Sequence, residues 1–344
     1  MKNLSDYDFN LPEEQIAERP AEVRSASRML AVDRHAQSFD DSLFERLPDF
    51  LRPGDLLVVN NTRVFPARLI GRAETGATVE LLLENDLGNS EWRALARPAR
   101  RLKPGRQIIF DRELSAELVD RNEGGMVRVR FNAEGDLFEH FDRVGRTPLP
   151  PYIKRDLASP DEDRERYQTI YAEKRGAIAA PTAGLHFTED VLRRLRNDGV
   201  QTCEITLHVG YGTFEPVRGE DLAGHSVLPE RYEVHEHAAE MLAAAKREGR
   251  RIIAVGTTTT RTLENMMAEF GEFRPANGEA RLTILPGYEF KAIDGLLTNF
   301  HLPKSSLLLL VSTFGGHELI MKAYRHSVSA GYRFYSYGDC MLIL

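Results

Sequence analysis

The stretch that decides the fold is TEDVLRRLRNDGVQTCEITLHVGY, residues 188–211. Its first half reads as a helix: Thr188 precedes two acids, Val191, Leu192 and Leu195 share one face, and Gly199 stands where a helix ends. Its second half reads as a half-buried strand, with Cys203, Ile205, Leu207 and Val209 alternating against Glu204, Thr206 and His208. On that alternation His208 points away from the apolar face. The pairing recurs downstream. Residues 237–249 read as a helix, 251–256 as a strand, 261–270 and 317–332 as helices, and RFYSY (333–337) as the closing strand. Such alternation predicts a layered α/β domain.

Upstream the texture differs. VELLL (79–83), WRALAR (92–97), QIIF (107–110), AELV (116–119) and MVRVRF (126–131) are short runs separated by turn sequences such as KPGR and NEGG. They predict a small barrel or sandwich. The strand LLVVNNTRV (56–64) precedes this region, and helical periodicity returns only after TPLPPYIKR (147–155). The expected organisation is therefore a discontinuous α/β/α domain, residues 1–66 and 149–344, with an all-β domain inserted at 67–148.

Composition narrows the function classes. The 344 residues are 42% hydrophobic and 28% charged, the profile of a compact globular chain. The longest aliphatic run, Leu307–Val311, is far short of the roughly 20 residues that cross a bilayer. The start, MKNLSDYDFNLPEEQ, is acidic where a signal peptide is basic, so a cytoplasmic location is expected. Cys203 and Cys340 lie far apart, which suggests neither a disulfide framework nor a cysteine-based zinc site. His235 and His237 form an HxH, but helical HExxH spacing is absent and no metal is expected. The net charge of −7 would repel a polyanion unless a local patch intervenes. Arg97, Arg100, Arg101, Lys103 and Arg106 make such a patch, which reads either as a nucleic-acid contact or as an exposed basic turn.

Neither GxGxxG nor GxxxxGK[ST] is present. Polar clusters stand instead where strands should end. In NNTRV, Asn61, Thr62 and Arg63 suit binding of carboxylate or phosphate, or a turn with a salt link. In APTAGLHFT, Thr182, Gly184 and His186 form either a ligand-approaching turn or a simple helix cap. TLHVGYGTFEPV places His208 before Gly210 and Gly212, and AVGTTTTRTLE places Thr257, Thr258 and Arg261 at the mouth of a helix. DGLLTNFHLPKSS carries Asp294, Asn299 and His301, and YSYGDCM carries Asp339. Either aspartate could orient a histidine.

The blocks NNTRVFPARL, TPLPPYI, RYQTIYAE, AAPTAGLHFT, TLHVGYGTFEPV, VGTTTTRTLE, DGLLTNFHLPKSSLL and YRFYSYGDCM occur in this order across almost the whole chain. In that set the sequence closely resembles the S-adenosylmethionine:tRNA ribosyltransferase-isomerases of queuosine biosynthesis. One block departs: where the family usually reads HxMHSE, His225 is followed by SVLPE, so Leu228 and Pro229 replace a His and a Ser.

The resemblance implies a three-layer α/β domain with a β-barrel. It also implies transfer of the ribosyl part of S-adenosylmethionine to the aminomethyl group of a 7-deazaguanine at the tRNA wobble position. S-adenosylmethionine is then a consumed substrate with no further cofactor, and the protein acts on tRNA as a monomer away from membranes. Such chemistry needs a base beside the sulfonium and a donor toward the departing adenine. His186, His208 and His301 are the expected proton-transfer residues, with Asp294 and Asp339 as orienting or sulfonium-facing carboxylates. Arg63 and Arg261 would grip a methionine carboxylate or a phosphate. Asn61, Thr62, Thr182, Gly184, Gly210, Gly212, Thr257, Thr258 and Asn299 would line the substrate site. Arg97, Arg100, Arg101 and Lys103 would hold tRNA. The competing classes are a tRNA-binding protein without catalysis and a metal-dependent hydrolase.

Overall fold

The computed structural model describes residues 3–156, 161–210, 212, 217 and 219–344, with the side chains of residues 101, 123 and 223 outside that description. The chain runs through β1 (Arg28–Asp33), β2 (Ser38–Leu43), β3 (Leu56–Asn60) and β4 (Thr62–Val64) into six successive strands. These are β5 (Arg68–Ala73), β6 (Thr78–Gly88), β7 (Glu91–Arg97), β8 (Gln107–Ile109), β9 (Ser115–Arg121) and β10 (Met126–Asn132). There follow α1 (Leu137–Val144), α2 (Asp163–Arg166), β11 (Lys174–Ala177), α3 (Glu189–Asn197), β12 (Gln201–Leu207), β13 (Glu230–Val234) and α4 (Glu236–Arg247). The last elements are β14 (Ile252–Val255), α5 (Thr257–Phe270), β15 (Ala276–Ala280), β16 (Gly295–Asn299), α6 (Ser306–Gly315), α7 (His317–Ser329) and β17 (Cys340–Ile343).

Nine strands form one mixed sheet in the order β15-β13-β12-β3-β14-β16-β17-β1-β2. Its centre, β12-β3-β14-β16, is parallel, and β17 joins antiparallel to β16. The centre is buried on both faces because its residues divide between two cores. Leu56, Val58, Ile252 and Ala254 pack with Leu242, Leu263, Leu308 and Tyr324 of α4–α7. Their neighbours Leu57, Val59, Ile253 and Val255 pack with Phe44, Leu47, Val191 and Leu195 on the opposite face. Continuous apolar runs such as LLVV and IIAV are what a strand covered by helices on both sides requires.

β10-β7-β6-β5-β8-β9 close into an antiparallel barrel, so none of its strands presents an unpaired edge. Its interior is filled by alternate residues, among them Leu69, Leu81, Trp92, Leu118 and Val129. The α/β fold with a barrel expected from the sequence is what forms. The large sheet draws strands from both sides of the barrel segment.

Four local features differ from the sequence expectation. Helix α1 lies before the proline-rich stretch: Asp136 caps it by accepting from Phe138 N at 3.0 Å, and Phe141 packs into the barrel core. Helix α5 starts at Thr257, not Arg261, because its threonine hydroxyls bond back to carbonyls four residues earlier. Thr259 reaches Val255 O at 2.8 Å and Thr260 reaches Gly256 O at 3.1 Å. The closing strand is Cys340–Ile343, while RFYSY is a loop whose aromatics pack elsewhere. Strand β12 stops at Leu207, with Thr206 buried as well. No helix among the described residues is long and apolar enough to cross a membrane.

Candidate active site

Chain order places β12 on one side of β3 and β14 on the other, and ligands of such sheets bind beyond the carboxyl ends where the order reverses. Two adjoining cavities occupy that edge. The smaller, about 50 Å³, is lined by Thr182, Thr257, Thr258, Asn299, His301 and Ser336, among others. The larger, about 140 Å³, is lined by Gly212, His225, Thr258, Arg261, Lys304 and Ser306, among others. Thr257, Thr258, Leu307 and Tyr335 belong to both walls.

In the smaller cavity His301 donates or accepts through Nε2 with Thr298 Oγ1 at 2.9 Å, and burial pushes its pKa down to about 3. Asn299 donates through Nδ2 to Tyr335 O at 2.9 Å and Ser336 O at 3.3 Å. That fixes its amide, leaving Oδ1 a buried acceptor without a hydrogen bond; Thr258 Oγ1 is likewise buried and unbonded. Unmet buried polar groups are costly in isolation and favour a polar ligand.

His186 stands beside this cavity, not in it. Its Nδ1 meets Ser27 Oγ at 2.9 Å, its ring lies 5.3 Å from that of Phe44, and it lines a separate small pocket with Arg24 and Gly338. Burial lowers its pKa to about 4, and Asn299 is the neighbour that opposes the shift. Ser336 lines both pockets, and His186 reaches the wall of the small cavity through the Asn299 side chain.

Other expected residues go elsewhere. His208 faces a cleft of about 430 Å³ between the sheet, the barrel residues Glu84 and Trp92, and Phe138 of α1. Its Nδ1 meets Thr62 Oγ1 at 2.8 Å, and burial lowers its pKa to about 4. Its neighbour Val209 lines the small cavity, so successive residues face opposite sides of the chain. Asp294 precedes β16 at the amino edge, exposed, with Oδ2 accepting from Ile252 N at 2.9 Å; it does not reach the cavities. Asp339 is at the correct edge, but its carboxylate accepts from Arg28 N at 2.9 Å and Arg333 N at 2.8 Å, while burial raises its pKa.

Asn61 is committed to Glu204 and Thr206, at 3.2 and 2.7 Å, and Arg63 pairs with Glu165 at 3.5 Å. Gly210 donates to Glu230 Oε1 at 3.0 Å. Arg261 has four of its five N–H groups engaged: Nη1 meets Glu230 Oε2 at 2.5 Å, while Nε and Nη2 donate to the carbonyls of Leu282, Leu228 and Ala280. No fork remains for a carboxylate ligand.

Gly184 serves packing. A methyl added there would lie 2.2 Å from Tyr171 Oη and 2.7 Å from Thr169 Cγ2. Gly184→Ala is expected to lose about 1–3 kcal/mol of stability through overpacking, read from the urea midpoint. A midpoint equal to wild type would show that the turn has room to spare.

The basic segment sits on the barrel. Arg97, Arg100 and Lys103 are exposed, and the side chain of Arg101 lies outside the described residues. Arg121 anchors the segment by donating to Ala99 O at 3.2 Å and Arg100 O at 3.1 Å. Among the described residues no group of three or more His, Cys, Asp or Glu side chains could hold a metal ion.

Comparison with known proteins finds relatives along almost the whole chain. A family model described as "Queuosine biosynthesis protein" matches residues 4–343. The chain is 49% identical over 343 residues to the S-adenosylmethionine:tRNA ribosyltransferase-isomerase of Desulfitobacterium hafniense, covering 99% of each. The chain belongs to the queuosine biosynthesis family. It is 48% identical over 344 residues to the Pelotomaculum thermopropionicum protein of the same name, covering 99% of this chain and 100% of that one. The crystal structure of S-adenosylmethionine tRNA ribosyltransferase from Thermotoga maritima shares 36% identity and a TM-score of 0.57, covering 98% of this chain and 100% of that one.

Several lining residues of this family member were given no role from the sequence: Tyr335, Ser336, Thr283, His225, Lys304 and Ser306. Lys304 and Tyr335 adopt φ of 57° and 75°, a left-handed conformation uncommon outside glycine and a mark of functional loops. Neither has a sequence signal. Ser305 does have one: it is the cap of α6, and Ser306 beside it projects into the larger cavity.

Proposed function

We propose that the protein transfers and isomerises the ribosyl moiety of S-adenosylmethionine onto the 7-aminomethyl-7-deazaguanine at the wobble position of tRNA. The products are epoxyqueuosine in tRNA, adenine and methionine. The observation that carries this is full-length membership of the queuosine biosynthesis family, with relatives of that name at about half identity over the whole chain. S-adenosylmethionine is consumed as a substrate and no other cofactor is needed. The α/β unit, residues 1–66 and 149–344, provides the reaction chamber, and the inserted barrel at 67–148 adds the basic segment. The protein acts as a cytoplasmic monomer.

The paired cavities suit the chemistry. The sulfonium acidifies the adjacent ribose carbon, so a neutral base nearby can remove a proton. Asn299 Oδ1 and Thr258 Oγ1 supply unmet polarity for a nucleobase edge, and His301 stands beside them. The attacking primary amine, with an unperturbed pKa of about 10.4 by analogy with lysine, must lose its proton in a desolvated pocket. Incubating the protein with S-adenosylmethionine and precursor tRNA is expected to release adenine and modify the tRNA. Affinity without adenine release would favour a non-catalytic tRNA-binding protein, and loss of activity on adding a chelator would favour a metal-dependent hydrolase.

A wobble base is single-stranded and can be splayed into a pocket while cations hold the backbone. Arg97, Arg100, Arg101 and Lys103 supply those cations. Neutralising all four is expected to weaken tRNA binding and flatten its salt dependence, by about 0.7–0.9 in slope for each phosphate that no longer meets a cation. Filter binding at a series of salt concentrations checks this; an unchanged slope would return the segment to an exposed basic turn.

A further inference from the structure

The larger cavity contains an imidazole that the sequence motifs left without a role. His225 follows the short turn Leu222–Gly224 and meets Ser306 Oγ through Nε2 at 2.8 Å. Ser306 is the first residue of α6, and the capping of that helix falls to Ser305, whose Oγ accepts from Leu308 N at 3.2 Å. The Ser306 hydroxyl is thereby left for the imidazole. Among the described residues His225 is the only histidine in the lining of this cavity.

The position that carries a second histidine in the usual family pattern is Leu228 here. It is 45% exposed, and its Cβ lies 2.8 Å from where a methyl on Gly212 would be.

The charges around it are already matched. Lys304 Nζ is 2.6 Å from Asp8, and Arg261 Nη1 is 2.5 Å from Glu230. Burial alone moves the His225 pKa, and it moves it down, so the ring is neutral near pH 7. In the tautomer whose Nε2–H donates to Ser306 Oγ, Nδ1 holds the lone pair, and that is the tautomer a base acting through Nδ1 requires.

We propose that His225, held by Ser306, is the general base that takes the proton from the ribose carbon beside the sulfonium. The assignment rests on the reaction proposed above. The C–H bond breaks, its electron pair stays on carbon as a sulfonium ylide, and the proton passes to Nδ1. Ser306 is a positioning residue: it orients the ring and supports the imidazolium once formed.

The test uses the full chain, precursor tRNA, and S-adenosylmethionine with hydrogen or deuterium at that carbon, with adenine release followed in a single turnover. His225→Gln is expected to slow release at least about 100-fold and to raise the hydrogen isotope effect, because proton removal becomes the slow step. Binding of S-adenosylmethionine, measured by equilibrium dialysis, is expected to stay within about threefold, since the base acts mainly in the transition state.

Ser306→Ala is expected to slow release less. It should also move the rise of the pH–rate profile to lower pH, because the imidazolium loses its acceptor. A His225→Gln rate close to wild type, or a slow rate with an unchanged isotope effect, overturns the assignment. If His225→Gln does not fold, an unmoved pH profile in Ser306→Ala overturns it instead. Wild-type protein that releases no adenine with both substrates present overturns the reading of the reaction itself.

Discussion

Arg261→Ala is expected to cost about 3–5 kcal/mol of unfolding free energy, more than any single exposed charge in the protein. The side chains of Arg261 and Glu230 are 5% and 3% exposed and meet at 2.5 Å. Removing the guanidinium takes its 2.5 Å ion pair from a buried carboxylate and withdraws its donors from three carbonyls, of Leu228, Ala280 and Leu282. Those carbonyls belong to the segment before β13, to the end of β15 and to the segment just after it, so one side chain of α5 ties the sheet edge to the helix.

The carboxylate also holds Gly210 N at 3.0 Å, which connects the pair to the loop after β12. Urea denaturation of Arg261→Ala, Glu230→Gln and the double variant would show the coupling. The double variant should lose less than the sum of the singles, because no charge remains unpaired. The competing expectation, that Arg261 grips the methionine carboxylate, predicts weakened S-adenosylmethionine binding with stability within about 1 kcal/mol of wild type. That pattern would sink the structural role.

Why the sequence misplaced Arg261 is a matter of helix register. A start at Arg261 puts its side chain at the mouth of the helix, whereas a start at Thr257 buries it one turn inside. Threonine is a weak helix former in isolation, and only back-bonding to Val255 O and Gly256 O makes the first turn viable. By contrast α3 and β12 were legible because their determinants are local: Thr188 accepts from Val191 N, and period-two alternation fixes the strand. The barrel was legible for the same reason, as its strands alternate cleanly.

Convergence of the site was only half legible. A strand end names an edge, but not which edge of the sheet once chain direction is unknown. Asp294 and Asn299 lie in one motif, yet five residues of extended chain separate them by roughly 17 Å, placing them at opposite edges. Likewise His208 and Val209 are adjacent, and the pleat sends one to the barrel junction and the other to the small cavity. Alternation told that they diverge; what lies on each side depends on the barrel, which folds from residues more than 75 positions earlier in the chain.

His301→Ala is expected to slow adenine release by about 10²- to 10⁴-fold, the range spanned by positioned acid–base groups. The argument starts from placement: of the three histidines first expected to move protons, only His301 lines the paired cavities, next to the unbonded Asn299 Oδ1 and Thr258 Oγ1. Burial holds its pKa at about 3, so the ring is neutral throughout the physiological range and acts as a base or a neutral hydrogen-bond partner, not as an imidazolium acid.

The sign for activity follows: the neutral form is the competent one, so activity that depends on it falls only as pH drops toward 3. Stability behaves differently. The unfolded ring protonates near its ordinary value of about 6.5 while the folded ring does not, so the contribution of His301 to stability declines as pH falls below 6.5 and is exhausted near 3. His186 and His208, both lowered to about 4, add to that acid sensitivity in the same direction.

His301→Gln keeps a hydrogen-bonding group toward Thr298 and should recover stability without recovering rate. Alanine variants of His186 and His208 should lose less activity than His301→Ala, since neither ring enters the cavities. Full turnover by His301→Ala, measured over single turnovers from pH 5 to 8, would remove this residue from the reaction and leave the smaller cavity a binding pocket alone.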